Sequence, residues 1–434
     1  MIKATRVREI RRKIHDHLAN VKRCMLVLDR FIHKSAIRPS WFRRRAYFVQ
    51  VCATQTLNLD QLPLSMRIRY LQALRGFTRG LVTAVRLSLQ RDGTLTYTPP
   101  PIFLYKADGC RVSIRPTTEW KNVAQYVVKQ ERIGPMTNQR LIRGAIPRKP
   151  WHERLTRSEV QSPSVQALEN LVPMVGPTSH NFGHFLLEHV TKLYVIEQAL
   201  GGLSDVNVLL AGGHSWQREI LRWIGLDETQ IHDKLNEVAG SPAFVTDPNP
   251  VYMREFEIKA EKLRWLHRRL TRSSEEKEPG TLAKTAVNAA GLEPAGAPIL
   301  LDRAATGKRT LENEEEVTRV VERFGGLAID PASLNPERAR DIMLNRPLVV
   351  SAVGAGVLNV LFAPEPPSVL LLVNDDFPPH VYVSVLRALG FETHIHVTSR
   401  ARLRRLRPET SLSVDVATFE KQLKMIMTNR MDYR

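Results

Sequence analysis

The sequence predicts an α/β protein built of two parallel-sheet units that face one another across a cleft. Three observations carry this. Residues 348–373, LVVSAVGAGVLNVLFAPEPPSVLLLV, hold two apolar runs joined by a Gly-Ala-Gly turn and a short apolar helix. A strand with one wet face alternates in polarity, so runs this apolar belong to a parallel sheet covered on both faces. Residues 171–247 and residues 298–397 each repeat a β–α–β rhythm, the signature of parallel pairing.

In chain order, residues 1–100 read as a basic, mainly helical extension, with helices over 5–36 and 62–90. In the second of these, Leu64, Ile68, Leu71, Leu74 and Phe77 recur three and four apart and form one stripe. TYTPPPIFLYKADGCRVSIRP then changes character to a proline run and short alternating strands, opening a first α/β domain over 101–270. Within it a turn with Gly176 and Pro177 leads into a helix over 182–200, which buries Phe185, Leu186, Val190, Leu193 and Ile196. VNVLLAG follows as a strand, SWQREILRWIGL as a helix, AFVT as a strand and 252–271 as a helix. Residues 271–297, rich in Gly, Pro, Ala and charge, form a linker. A second α/β domain over 298–400 runs through the strand ILL, a helix over 312–324, a strand over 327–329 and a helix over 335–344. The Gly-Ala-Gly unit, a helix over 380–389 and a strand over 392–397 close it. A tail over 401–434 carries the basic run ARLRRLR and a helix over 414–428 expected to reach back to the first unit.

A chain of 434 residues, 43% hydrophobic and 25% charged, is globular and long enough for several domains. No window holds the roughly 18 uninterrupted apolar residues of a membrane span. Met1–Lys13 is basic without the apolar core of a secretory signal, and Cys24, Cys52 and Cys110 are too few and too scattered for a disulfide framework, so a cytoplasmic location is expected. The net charge of +19 is uneven: residues 1–150 hold 30 Lys plus Arg against 8 Asp plus Glu. Apolar clusters such as WFRRRAYFVQVC are interleaved there, which suits an anionic membrane surface, peripherally at the inner face. A plain solvated face and a nucleic-acid contact are the other readings of that charge; nucleic acid has no motif beside it and is the weaker one.

Candidate site residues gather at strand-to-helix turns. Gly354, Ala355 and Gly356 lie where a strand turns into a helix, leaving bare N–H groups that favour an anion, though glycine for close packing accounts for the same residues. Arg303, Lys308 and Arg309 follow the strand ILLDR and suit phosphate oxygens. Asn313 and Glu314 open the acid-rich helix LENEEEV and suit sugar or ribose hydroxyls, or serve as a charged first turn. His184 and Glu188 stand four apart on one helix face. Glu188 is the preferred proton acceptor and His184 a hydroxyl or phosphate contact, unless Glu188 pairs with Lys192. Asn181 caps that helix or faces an acceptor. Asp375 and Asp376 stand at a strand end and are not read as a metal site.

These residues resemble glycosyltransferase family 61, the group known in bacteria as capsular polysaccharide biosynthesis proteins. The family's first motif is matched by Asn181, Phe182, His184, Phe185, Leu186 and Glu188; its second by Arg303, Arg309, Leu311, Asn313 and Glu314. Its third is matched by Gly354, Ala355, Gly356, Asn359, Leu361, Phe362, Ala363 and Pro364. The sequence departs from it at Val353, where the family usually has His, at Asp302, where a Ser commonly precedes the Arg, and at Leu371, where an acid often follows the last strand. The resemblance spans roughly residues 170–375. It implies a GT-B architecture of two Rossmann-like domains and inverting, metal-independent transfer of a hexosyl or pentosyl group. The donor would be a nucleotide-sugar, a co-substrate with no other cofactor, and the acceptor a glycan or lipid-linked glycan of capsule or cell envelope. Donor contacts would come from Arg303, Lys308, Arg309, Asn313, Glu314, Gly354, Ala355, Gly356 and Asn359, with Asn181 on the acceptor side. The departures at Val353 and Leu371 keep an alternative open, an inactive member acting as a binding scaffold.

Overall fold

The computed structural model describes residues 48–50, 55–58, 87–89, 94–97, 102–107, 110–115, 123–128, 166–175, 179–210, 213–233, 237–240, 242–246, 260–272, 296–302, 310–344, 346–374, 380–400 and 412–431. The helix expected over 5–36 and nearly all of that over 62–90 lie outside them, as do the linker over 273–295 and the run 401–411.

The described part of the first hundred residues is strand. These strands are β1 (Phe48–Gln50), β2 (Gln55–Asn58), β3 (Leu87–Leu89) and β4 (Thr94–Tyr97). β3 corrects the end of the helix expected over 62–90: it pairs with β4, which also takes β2, in a three-stranded antiparallel sheet. β1 is not part of an appended region either. It pairs antiparallel with β5 (Ile102–Ala107) at the edge of the first main sheet.

That sheet runs β1–β5–β13–β9–β10–β11, with β9 at Leu171–Pro173, β10 at Asn207–Leu209, β11 at Ile231–His232 and β13 at Ala243–Thr246. β13, β9, β10 and β11 are mutually parallel, while β5 joins β13 antiparallel, so the expected parallel sheet is mixed at one side. Beside it β6 (Cys110–Arg115), β7 (Val123–Val128), β8 (Ala167–Leu168) and β12 (Glu237–Gly240) form a four-stranded sheet. The connection from β9 to β10 is helical: α1 (Phe182–His184), a π-helical turn (Phe185–Val190) and α2 (Lys192–Leu200). From β10 to β11 it is α3 (Ser215–Trp223), and α4 (Ala260–Arg272) follows β13.

The second unit is a five-stranded, wholly parallel sheet. Its strands are β14 (Ile299–Leu301), β15 (Leu327–Ile329), β16 (Leu348–Ala352), β17 (Ser368–Val373) and β18 (Thr393–Val397), in the order β15–β14–β16–β17–β18. Every residue of β14, β16 and β17 is buried, as the unbroken apolar runs predict. The helices α5 (Glu314–Arg323), α6 (Pro336–Met343) and α7 (His380–Ala388) connect the strands, with a buried 3-10 helix (Ala355–Phe362) after β16. Side chains alternate between two cores. Leu300, Leu348, Val350, Ala352, Leu370 and Leu372 pack with α5 and with α8 (Val416–Met431). Ile299, Leu301, Val349, Val353, Val369, Leu371 and Val373 join a larger core that continues without a break into the first unit. Among the described residues the C-terminal helix packs on the outer face of its own sheet and not on the first unit; Arg323–Glu420 (2.9 Å) and His396–Gln422 (2.9 Å) help hold it.

Among the described residues the two units are joined through helices. α4 bridges them: Trp223 donates to the Leu270 carbonyl (2.7 Å), Arg269 and Trp265 both bond Glu197 of α2, and His267 lies 3.1 Å from the Ala363 carbonyl of the second unit. The small strands β19 (Ser399–Arg400) and β20 (Leu412–Ser413) complete the described chain. Among the described residues no helix is long and apolar enough to cross a membrane.

Candidate active site

In the second sheet the parallel strands, numbered along the chain, stand in the order 2-1-3-4-5. The reversal lies between β14 and β16, and in an open α/β sheet a ligand binds outside the carboxyl ends of the strands at such a point. Asp302 leaves the end of β14, its N–H donating to the Ile329 carbonyl (2.9 Å), and Val353 and Gly354 leave the end of β16. Arg303, Lys308 and Arg309 lie outside the described residues.

The turn after β16 is built for close approach. A Cβ on Gly356 would stand 3.0 Å from Pro331 Cγ, and a Cβ on Gly183 would stand 3.1 Å from Ala355 Cβ and 3.3 Å from Leu358 Cδ1. The glycines therefore let α1 of the first unit rest directly on the Gly-Ala-Gly turn of the second. Gly354 is buried, while Ala355 and Gly356 keep partial exposure. Asn359 is 3% exposed and its Nδ2 donates to the Gly356 carbonyl (2.8 Å). The amide therefore lies against the turn and helps shape it.

α1 brings the first motif to this place. Asn181 Oδ1 accepts from the N–H of Gly183 (3.0 Å) and of His184 (3.3 Å), so Asn181 is the N-cap, with its side-chain oxygen turned to the helix. The loop before it is held by buried Gln217, whose Nε2 donates to the Ser179 carbonyl (2.7 Å). Phe182, Phe185 and His214 gather round Trp216 with ring centroids 5.3 to 5.8 Å away. His184 Nδ1 is 2.8 Å from Glu188 Oε1. The exposure is asymmetric: the Glu188 side chain is 9% accessible and that of His184 21%. The carboxylate is therefore the more buried partner of the pair and the imidazole the more accessible one.

The helix widens into a π turn at this pair, and Phe185, Leu186, Glu188, His189 and Val190 are all buried within it. That arc is too broad for a helix with one wet side, and it fits a helix lying between the first sheet and the 3-10 helix. Two residues singled out by no motif lie here. His189 is stacked on Phe185 and held well below its ordinary titration range by burial, then by Lys192 and His184. Burial also draws Lys192 down to about 8 against the opposing pull of Glu188. Their sequence signal is no more than a polar pair on an apolar helix.

On the second unit, Glu314 bonds the Asp302 carboxyl; that bond first, then burial and the Asp302 charge, push Glu314 up to about 7. Asn313 is otherwise engaged. Its Nδ2 donates to the Val414 carbonyl (2.8 Å) and its Oδ1 accepts the Val414 N–H (3.1 Å), which pins the residue after β20 to the start of α5. An open depression of about 750 Å³ beside α5 is lined by Glu312, Glu314, Glu315, Glu316 and Arg319. Its carboxylates would repel a diphosphate. Val353 is fully buried in the shared core, and Leu371 lies mid-strand in β17 with two strand residues after it. The position following that strand is Asn374, so Leu371 is not where a strand-end acid would stand.

The layout is that of an α/β protein in which α1, following β9 of the first sheet, touches the turn that follows β16 of the second. Residues 182–370 match the model of the family described as Glycosyltransferase 61, so that stretch of the chain is a domain of glycosyltransferase type. No curated protein matches the chain.

Proposed function

We propose that the protein is an inverting, metal-independent glycosyltransferase of GT-B type. It moves a hexosyl or pentosyl group from a nucleotide-sugar to a glycan or lipid-linked glycan of the capsule or cell envelope, at the cytoplasmic membrane face. The observation that carries this reading is the contact of Gly183 with Ala355, which sets the His184–Glu188 pair beside the turn at the strand reversal. His184 Nε2 takes the proton of the acceptor hydroxyl as its oxygen bonds the anomeric carbon from the far side. The bond to the diphosphate oxygen breaks, and the departing charge is met by Arg303, Lys308, Arg309 and the amides of the Gly-Ala-Gly turn. The carboxyl pair Asp302–Glu314 offers both a donor and an acceptor to donor hydroxyls. The basic residues 1–150 attach the enzyme to anionic lipid.

The test is a thermal-shift screen against UDP, GDP, CMP and their sugars, since a ligand that binds only the folded state raises the melting temperature. At least one nucleotide should stabilise the wild type, and Arg303→Ala should abolish that shift. With the donor so identified, NMR of the product should show the inverted anomer, and His184→Ala should lower kcat by about 10²-fold or more with the nucleotide shift retained. A flat screen would leave the fold as a scaffold without transferase chemistry.

A further inference from the structure

An indole is a broad apolar plate with one N–H at its edge, and a fold that packs the plate normally pairs the N–H as well. Trp223 donates its N–H to the Leu270 carbonyl (2.7 Å), and Trp265 donates to Glu197. Trp216 does neither. Among the described residues its Nε1–H meets no acceptor, and the atom is not sealed from solvent. The ring is nonetheless fixed, because Phe182 and Phe185 stand edge-on to it with centroids 5.7 and 5.3 Å away. His214 lies nearly parallel to it, at 11° and 5.8 Å. Stacked rings reach that separation only when displaced sideways, so the imidazole widens the indole face instead of covering it. His214 is exposed and Trp216 half-buried, which leaves this surface open to solvent. It is also tied to the first motif. Gln217, beside Trp216, holds the Ser179 carbonyl ahead of α1, and the two phenylalanines flank His184 in the sequence.

We propose that Trp216, widened by His214, is the platform on which a sugar ring of the acceptor lies while its hydroxyl reaches His184. The inference rests on the reading of the His184–Glu188 pair as the place of transfer, and it names the acceptor side of that site. A sugar ring has a face of C–H groups and a rim of hydroxyls. The C–H face leaves water for an aromatic face, whose negative potential attracts polarised C–H groups, while the rim needs hydrogen-bond partners. The platform supplies both. The indole and imidazole take the face, and the unspent Nε1–H of Trp216 donates to a hydroxyl or substituent that reaches past the ring edge. A purely apolar partner would cover the rings and leave that donor buried without an acceptor, at a cost. A nucleobase would stack equally well, but the cations and the Gly-Ala-Gly turn proposed for the diphosphate belong to the second unit, and Trp216 belongs to the first.

The full chain is labelled with ¹⁵N in its tryptophan indoles, and the Trp216 signal is assigned by its loss in Trp216→Phe. Methyl glycosides of glucose, galactose, mannose, N-acetylglucosamine and xylose, each as both anomers, are then titrated in, with and without UDP, GDP or CMP. At least one glycoside should shift the Trp216 indole N–H saturably and leave those of Trp223 and Trp265, which are already bonded, in place. Trp216→Ala should weaken that glycoside by about tenfold or more, read by saturation-transfer NMR, with any nucleotide-induced thermal shift retained. Should Trp216→Ala fail to fold, two milder variants take its place. Trp216→Phe keeps a ring against Phe182 and Phe185 but has no N–H, and His214→Ala narrows the platform with the indole intact; each should weaken the same glycoside. A merely structural tryptophan would change the melting temperature and leave the glycoside affinity of the folded protein unmoved. A Trp216 signal that no glycoside shifts overturns the proposal, and a nucleotide response in the same samples leaves the transferase reading standing. If glycosides bind at Trp216 and no nucleotide binds at all, the platform is upheld and it is the transfer that fails. A nucleotide that itself moves the Trp216 signal, and binds more weakly to Trp216→Ala, assigns the ring to the donor base and overturns the proposal.

Discussion

At the scale of single residues, the Asp302–Glu314 pair makes a prediction whose sign can be worked out. Glu314 titrates near 7 in the folded protein against an ordinary 4.5, so the native state holds more protons than the unfolded chain between those values. Its contribution to stability is complete below about 4.5 and is lost as the pH rises through 7. Glu314→Gln keeps a hydrogen-bond donor toward Asp302 without the second charge. The melting temperature of Glu314→Gln should therefore match the wild type near pH 4.5 and exceed it by pH 8; a variant less stable at every pH by the same amount would refute the shared proton. The same scale shows what a sequence can say about a site. His184 and Glu188 were legible because four residues along a helix is a contact distance whatever the surroundings. Asn313 and Asn359 fitted their motifs equally well, yet each amide is bonded to backbone, at Val414 and at Gly356. Which groups a side chain reaches is fixed by segments as distant as 101 positions, and no local pattern encodes that.

At the scale of elements, the interlock of α1 with the 3-10 helix should tolerate no added bulk. Gly183→Val drives two methyl groups against Ala355 and Leu358, an overpacking worth about 1–3 kcal/mol. Gly202→Val should be much milder, because nothing lies within 4 Å of the added Cβ. Thermal melts of the two variants decide it, and equal losses would mean that the contact at Gly183 is not tight. The C-terminal helix offers a second test. Asn313→Ala removes both bonds to Val414 and should cost about 1–3 kcal/mol, with amide exchange accelerated across α8 ahead of β16 and β17. Uniform acceleration would show that α8 is not tied at that point. The second unit could be read element by element because its strands are buried on both faces and appear as bare apolar runs. The π turn, the eight-residue 3-10 helix, the strand β1 and the antiparallel pairing of β5 were not, since hydrogen-bond register there follows from what packs outside the segment and not from local propensity.

At the scale of the molecule, the sequence suggested two domains divided by a cleft, and the larger of the two apolar cores among the described residues spans both units. The larger cluster runs from Val172 and Val208 of the first sheet through Leu266 of α4 and Leu358 of the 3-10 helix to Val349 and Leu371 of the second. Apolar stripes on a helix announce burial without naming the partner, which is why the join across α4 could not be foreseen. A continuous core makes each unit's stability depend on the other, so unfolding should be one cooperative event. Trp216, Trp223 and Trp265 all report from elements packed on the first sheet, whereas amide exchange in β16 and β17 reports from the second. Leu266 is fully buried between the units, and Leu266→Ala should cost about 2–5 kcal/mol. In denaturant titrations that loss should lower the tryptophan transition and the protection of the β16 and β17 amides by the same free energy. If the amides kept wild-type protection while the tryptophans melted early, the second unit would be stable by itself. The contact that sets His184 beside the Gly-Ala-Gly turn would then be a docked interface, free to open, and the enzyme would need ligand to close it.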